Sequence, residues 1–246
     1  MLEIEDALLD QIGIEAAREE TIALQACLRR HPSAQLTDAM ITAHPKEEEA
    51  MALTLYGGQR TRASMPRWYM EEKGIAYNLV ELDLQAKQHR EPEFLAINPF
   101  GKLPALVDDS LQGPDGKPLQ LFESGAILMH LAAHHSDDIQ SEAERALTTQ
   151  WLLFANATLA IALFVPSNRE REFPSLMAEL NQQLHPDRPL VGQQWGAADC
   201  AMQAYLAYLP LFFPDLDLSP YPAIQSLIAT VQKRPAYRKA MGYVDA

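Results

Sequence analysis

The chain has 246 residues, 48% hydrophobic and 8% aromatic, enough for one large or two small domains around an ordinary apolar core. Its 33 acidic against 20 basic residues leave a net charge of −13, which argues against DNA, RNA or an anionic membrane surface as partner. Met1 to Ala50 carries 11 acidic and 4 basic residues, so −7 of the charge lies there and −6 on the rest.

The N-terminus reads MLEIEDALLD, with neither a positive stretch nor an apolar stretch of the kind that targeting peptides need. Cys27 and Cys200 match no disulfide framework or zinc spacing, so a reducing, cytoplasmic setting is expected. Residues 3 to 29 hold apolar positions at Ile4, Leu8, Ile12, Ile22, Leu24, Cys27 and Leu28, the spacing of one or two amphipathic helices that His31-Pro32 ends. The polar stretch to Ala50 has no catalytic pattern. Residues 1–50 are therefore read as an acidic extension, dispensable for ligand binding, with Met51 as an alternative start.

Leu53 to Tyr56, before Gly57-Gly58, predicts a first strand; Met65 to Lys73, closed by Gly74, predicts a helix; Asn78 to Leu84 predicts a second strand. Gly57-Gly58 lacks the Lys-Ser/Thr of a phosphate loop and reads as a tight turn. Asn98 to Ala132 then runs through a turn formed by Asn98, Pro99 and Gly101, a strand, a loop rich in Gly, Asp and Pro, a second strand, and a helix opening at Glu123-Ser124 with Ser124 as N-cap. The order β-α-β-α-β-β-α is a thioredoxin-like layout over residues 51–135. After the polar linker Ser136 to Ser141, residues 142–246 show helical spacing throughout and predict an all-helical second domain. The apolar run Phe154 to Val165 is too short to span a bilayer and reads as a core helix. Gly196 and Asp199 form half of a capping box, which costs the next helix only a few tenths of a kcal/mol.

A helix N-terminus with a hydroxyl and free amides, preceded by the carboxylate of Glu123, suits the amino-acid end of a ligand carrying both charges. The Asn-Pro turn, the Lys102-Leu103-Pro104 entry to a strand and the Glu123-Ser124 helix start resemble the glutathione-binding half of the glutathione transferases. LYGGQRTRASMPRWYMEEKGIAYNLVELDLQAKQHREPEFLAINPFGKLPAL resembles the cyanobacterial chi-type class most. The resemblance covers about Leu53 to Gly242. It implies glutathione as co-substrate, no other organic cofactor or metal, a small hydrophobic electrophile such as an isothiocyanate, and a homodimer. It also implies that Lys102 reaches the glycyl end, Leu103 offers its backbone to the cysteinyl amide, Glu123 holds the γ-glutamyl amine and Ser124 its carboxylate, with Leu103-Pro104 in cis.

A thiol of pKa near 8.5 is only a few per cent thiolate at neutral pH, so a transferase must stabilise the anion. By the match to serine-type transferases, Thr61 stands where the activating hydroxyl lies, a departure from the usual Ser; Ser64 is the second candidate, and Arg62 adds positive field, Arg60 less so. Tyr56 is read as a packing residue, and Asn98 as a turn former. Trp151, Phe154, Phe164 and Tyr205 are candidate walls of an electrophile pocket between the domains. His134 and His135 with Asp137 and Asp138 lack metal-ligand spacing and read as a surface helix end, and Cys200 as a small core hydrophobe. The alternatives are a non-catalytic ligand-binding or assembly module on the same fold, and a thiol oxidoreductase, which would need a cysteine that the first loop lacks.

Overall fold

The computed structural model describes residues 52–58, 61–185 and 187–243. All belong to one compact unit, Met51–Ala246. The helices expected within residues 3 to 29, and the polar stretch after them, lie outside the described residues.

Strand β1 (Leu53–Gly57) buries Leu53, Leu55 and Gly57 and half-exposes Thr54 and Tyr56, the period of two that a strand imposes on its faces. Helix α1 (Ser64–Lys73) follows and stops at Gly74, whose φ of 66° only a residue without Cβ adopts at no cost; its N–H returns to the Met70 carbonyl. Strand β2 (Asn78–Glu81) is parallel to β1, with Leu55 opposite Leu79. It stops three residues short of the expected Leu84. The Asp83 carboxylate accepts the Gln85 and Ala86 amides at 2.7 and 3.0 Å and turns the chain away.

After a short helix α2 (Pro92–Leu95), strands β3 (Ala105–Gln112) and β4 (Pro118–Phe122) complete a sheet of order β2-β1-β3-β4. β3 runs antiparallel to β1, with Tyr56 opposite Ala105 and Leu53 opposite Asp108. Helix α3 (Ser124–His134) packs against this sheet through Ile127, Leu128 and Leu131, all fully buried. Ser124 is its first residue, not its cap. Glu123 takes the cap position with φ 71° and ψ 120°, because the Ser124 hydroxyl turns away from the helix amides and donates to Asn156 Oδ1 at 3.0 Å. This is the expected thioredoxin-like layout, followed by a helical region.

The helical region begins at α4 (Glu142–Leu153), where Ser141 Oγ accepts the Glu144 amide and Glu144 accepts the Gln140 amide. A π-helical segment, Phe154–Leu159, leads into α5 (Ala160–Phe164). The continuous stretch Glu142–Phe164 is long and apolar enough to cross a membrane by length and composition alone. Its Leu152, Ala155, Leu159, Ala160, Ala162 and Leu163 are buried inside the protein, as in the core helix of a globular domain. Helices α6 (Pro166–Gln183), α7 (Ala197–Ala207), α8 (Leu209–Phe212), α9 (Pro222–Val231) and α10 (Pro235–Ala240) complete it. α7 is buried along its whole length, Cys200 included.

One carboxylate joins the two regions. Asp138, expected at a surface helix end, has an 8% exposed side chain and accepts from Tyr69 Oη at 2.6 Å, Lys73 Nζ at 2.5 Å and the Ala197 amide at 3.0 Å. The last bond supplies, from another element, the cap that Gly196 has no side chain to make. Asp199 supplies the other half by accepting the Gly196 amide at 3.1 Å. A second tie links α1 to the chain's end: Glu72 accepts from Trp68 Nε1 at 3.0 Å and pairs with Arg234.

Candidate active site

A cavity of about 480 Å³ lies at the edge of the sheet where β3 begins, lined by Thr61, Arg62, Lys102, Leu103, Pro104, Glu123 and Ser124 together with Leu84, His89, Arg90, Asn98 and Gly101. Every residue assigned to glutathione from the resemblance borders this one space. The buried Asn98 side chain shapes its floor, donating to the Lys102 carbonyl at 2.7 Å and accepting the Phe100 amide at 3.1 Å, as its turn-forming role requires. Leu103-Pro104 is cis, as the resemblance implies. Glu123, one of two described non-glycine residues with positive φ, carries its strained backbone beside the N-terminus of α3, where strain accompanies ligand clamps. The lining carries charges of both signs, with Lys102, Arg90 and Arg62 cationic and Glu123 anionic at the start of α3.

His89 and Arg90 had no signal in the sequence. They reach the cavity because the turn after β2 and the 3₁₀ segment Gln88–Arg90 fold against Gly101, where a Cβ would sit 2.7 Å from the His89 carbonyl. Arg90 Nη1 donates to the Phe100 carbonyl at 3.1 Å, and His89 Nδ1 is buried without a hydrogen-bond partner.

A second cavity, about 550 Å³, adjoins the first and is walled by Phe164, Tyr208, Leu211, Phe212, Met241 and Tyr243. Thr61 and Arg62 line both. Of the four aromatic residues proposed as its walls, only Phe164 lines it. Trp151 and Phe154 pack edge to face on each other at 5.7 Å, and Tyr205 is 1% exposed with its hydroxyl donating to Asn156 Oδ1 at 2.9 Å. None of these three borders this cavity. The actual wall comes from α8 and from the residues around Met241 and Tyr243, which fold back from far along the chain.

The first-loop residues differ in what they can offer a thiol. Thr61 is half-buried; its hydroxyl donates to the Gly58 carbonyl at 2.8 Å and accepts the Ala63 amide at 3.2 Å, so it must turn to donate elsewhere. Arg62 is exposed to both cavities, its guanidinium 5.9 Å from the Tyr205 ring centre. Ser64 is 4% exposed and lines neither cavity. Its hydroxyl donates to the Thr61 carbonyl at 2.8 Å and meets Tyr208 Oη at 2.7 Å, and burial pushes the Tyr208 phenol pKa up. In this position Ser64 ties the loop to the junction of α7 and α8. Tyr56 lines neither cavity and packs on Phe94 at 5.8 Å.

Fold and cavity together have the layout of a transferase of the glutathione type. The N-terminal domain of glutathione S-transferases matches residues 51–133. The chain is 33% identical over 189 residues to the disulfide-bond oxidoreductase YfcG of Escherichia coli K12, covering 70% of this chain and 86% of that one. It is 28% identical over 210 residues to the glutathione S-transferase GstB of the same organism, 77% and 97% of the two chains. The structure of a glutathione transferase from Pseudomonas putida, with glutathione disulfide bound in each subunit, superposes with a TM-score of 0.64 at 26% identity over 80% of this chain and 93% of that one. The chain belongs to the glutathione S-transferase family.

Proposed function

We propose that this protein is a cytoplasmic glutathione transferase that ionises glutathione in the 480 Å³ cavity and adds the thiolate to a small hydrophobic electrophile held in the apolar cavity beside it. The observation that carries this reading is that the two cavities meet at Thr61 and Arg62. Glutathione would lie with its glycyl carboxylate toward Lys102, its cysteinyl amide against the Leu103 backbone, its γ-glutamyl amine at Glu123, and its γ-glutamyl carboxylate on the Ser124 amide at the positive end of α3. That placement directs the sulfur to the seam, where the Arg62 charge and a reoriented Thr61 hydroxyl favour the anion. With an isothiocyanate the sulfur bonds to the central carbon, the nitrogen takes a proton, and nothing leaves; detoxification is the role such chemistry serves.

Calorimetric titration with glutathione at pH 6.5 and pH 8, in buffers of different ionisation heat, tests the first half. Binding with proton release at pH 6.5 is expected, followed by conjugation of an aryl isothiocyanate. Failure to bind glutathione would leave only a scaffold of this fold.

A second reading is favoured by the relative named as a disulfide-bond oxidoreductase and by the structure holding glutathione disulfide. The same thiolate would attack a disulfide, forming a mixed disulfide and releasing a thiolate, with a second glutathione completing the reduction. Among the described residues the only cysteine, Cys200, is buried with its thiol pKa pushed up by burial, so the sulfur would have to be glutathione's. Turnover of a small disulfide but of no isothiocyanate would select this reading.

A further inference from the structure

Asp108 and two histidines form a compact donor set in the same domain, between the interior strand β3 and the end of α3, and none of them lines the two active-site cavities. Asp108 is fully buried on β3, with its side chain under the C-terminal end of α3. Its Oδ1 accepts the Ser110 amide at 2.9 Å and the Ser110 hydroxyl at 2.5 Å, which fixes the carboxylate plane and leaves Oδ2 to face the helix. His130 Nε2 and His135 Nε2 each stand 2.7 Å from that oxygen, and the three donor atoms lie within 4.8 Å of one another. The spacing of five residues works because His135 caps α3 with φ −124° and ψ 7°; its ring leaves the helical path and swings to the side His130 occupies. His134, the neighbour at helical spacing, is exposed.

We propose that Asp108, His130 and His135 bind one divalent ion of the first transition row, zinc above all, through two imidazole nitrogens and one carboxylate oxygen, with water in a fourth position. Two nitrogens and an oxygen suit zinc, cobalt or nickel and not magnesium or calcium, which take oxygen ligands. The Ser110 bonds are the outer-shell support that ligating carboxylates have in metal sites.

A polar cavity of about 870 Å³, bordered by His135, Asp137, Asp138 and Glu144, opens on the His135 side of the set and is large enough to admit water. A tetrahedral ion with bonds of about 2.0–2.2 Å separates its ligands by roughly 3.3 Å, so each imidazole must withdraw by about half an ångström. His135, with an 18% exposed side chain outside the helix, has room to do so. Each ring keeps its proton count by moving the proton from Nε2 to Nδ1 through solvent. The bound ion would clamp β3 to the end of α3.

The test uses the full chain, stripped with a chelator, titrated with Zn(II) and with Co(II). Because His31, His44 and Cys27 are additional donors, variants decide the assignment. His130→Gln and His135→Gln retain an amide N–H for Asp108 but are poor ligands. One equivalent of Co(II) with ligand-field absorption in the wild type, at least tenfold weaker binding in both variants, and a Zn(II)-dependent rise in Tm that they lose would support the site, with Mg(II) inert throughout. Absence of binding at micromolar ion, or binding undiminished in the folded His135→Gln variant, would overturn it and leave a hydrogen-bonded triad.

Discussion

At the residue scale the proposed chemistry rests on the first loop. Arg62 faces both cavities while Ser64 faces neither, so their variants should separate. Arg62→Ala removes a positive charge from beside the sulfur; one pKa unit is about 1.4 kcal/mol, so kcat/KM at pH 6.5 should fall about tenfold and the ascending limb of its pH profile should move up by about one unit. Ser64→Ala should leave that limb in place and lower stability by about 1 kcal/mol through loss of its bonds to Thr61 and Tyr208, read by urea denaturation. Gly196 gives a sharper case. Ordinary capping rules favour serine over glycine there, yet a Cβ would stand 2.7 Å from Asp138 Oδ2, the atom that already caps α7. Gly196→Ser should therefore destabilise by about 1 kcal/mol or more instead of stabilising, and a drop in Tm would show it.

At the element scale, the junction of β3 with α3 and the start of α7 couple stability to pH in opposite senses. His130 has a folded pKa below its ordinary 6.5, so the unfolded chain takes the proton first and stability is lost as pH falls below that value. Asp108, held at about 2 against an ordinary 3.8, contributes about 2 kcal/mol above pH 4 that disappears as pH falls toward 2. Asp199 behaves in reverse: burial raises it to about 6 in spite of the Gly196 and Leu190 amides, so its contribution is present below pH 4 and is lost as pH rises through 6. Denaturant titrations at pH 7, 5.5 and 4 in chelator should show a shallower acid loss for His130→Gln than for the wild type, and a steeper one for Asp199→Asn.

At the scale of the whole molecule two expectations remain to be measured. The first fifty residues carry −7 of the charge and none of the residues that the resemblance assigns to glutathione, so a chain starting at Met51 should bind glutathione with a Kd within a factor of two of the full chain. Tenfold weaker binding by a folded truncation would contradict this. The family's dimer is expected here as well, with apolar surface to cover: Phe100 is 61% exposed and stacks edge to face on Phe122, and Leu153 is 63% exposed. Sedimentation should return twice the chain mass of 27.5 kDa.

The local order of elements, the turn at Asn98 and the closing glycine at 74 were legible from residues alone, because each rests on short-range physics: periodicity, fixed φ and local turns; the set from Lys102 to Ser124 that borders one cavity came from the resemblance. What lay beyond reading was whatever depends on where distant segments meet. Phe164 proved a cavity wall and Tyr205 did not, although both sit at helical spacing, because α8, Met241 and Tyr243 choose which aromatic faces stay open. Asp138 read as part of a surface helix end and Asp108 carried no signal, and only the tertiary structure brought Lys73, Tyr69 and Ala197 to the first and two imidazoles to the second. A side chain's chemistry is written in its own atoms, but its partners, its burial and therefore its charge state are set by residues tens of positions away.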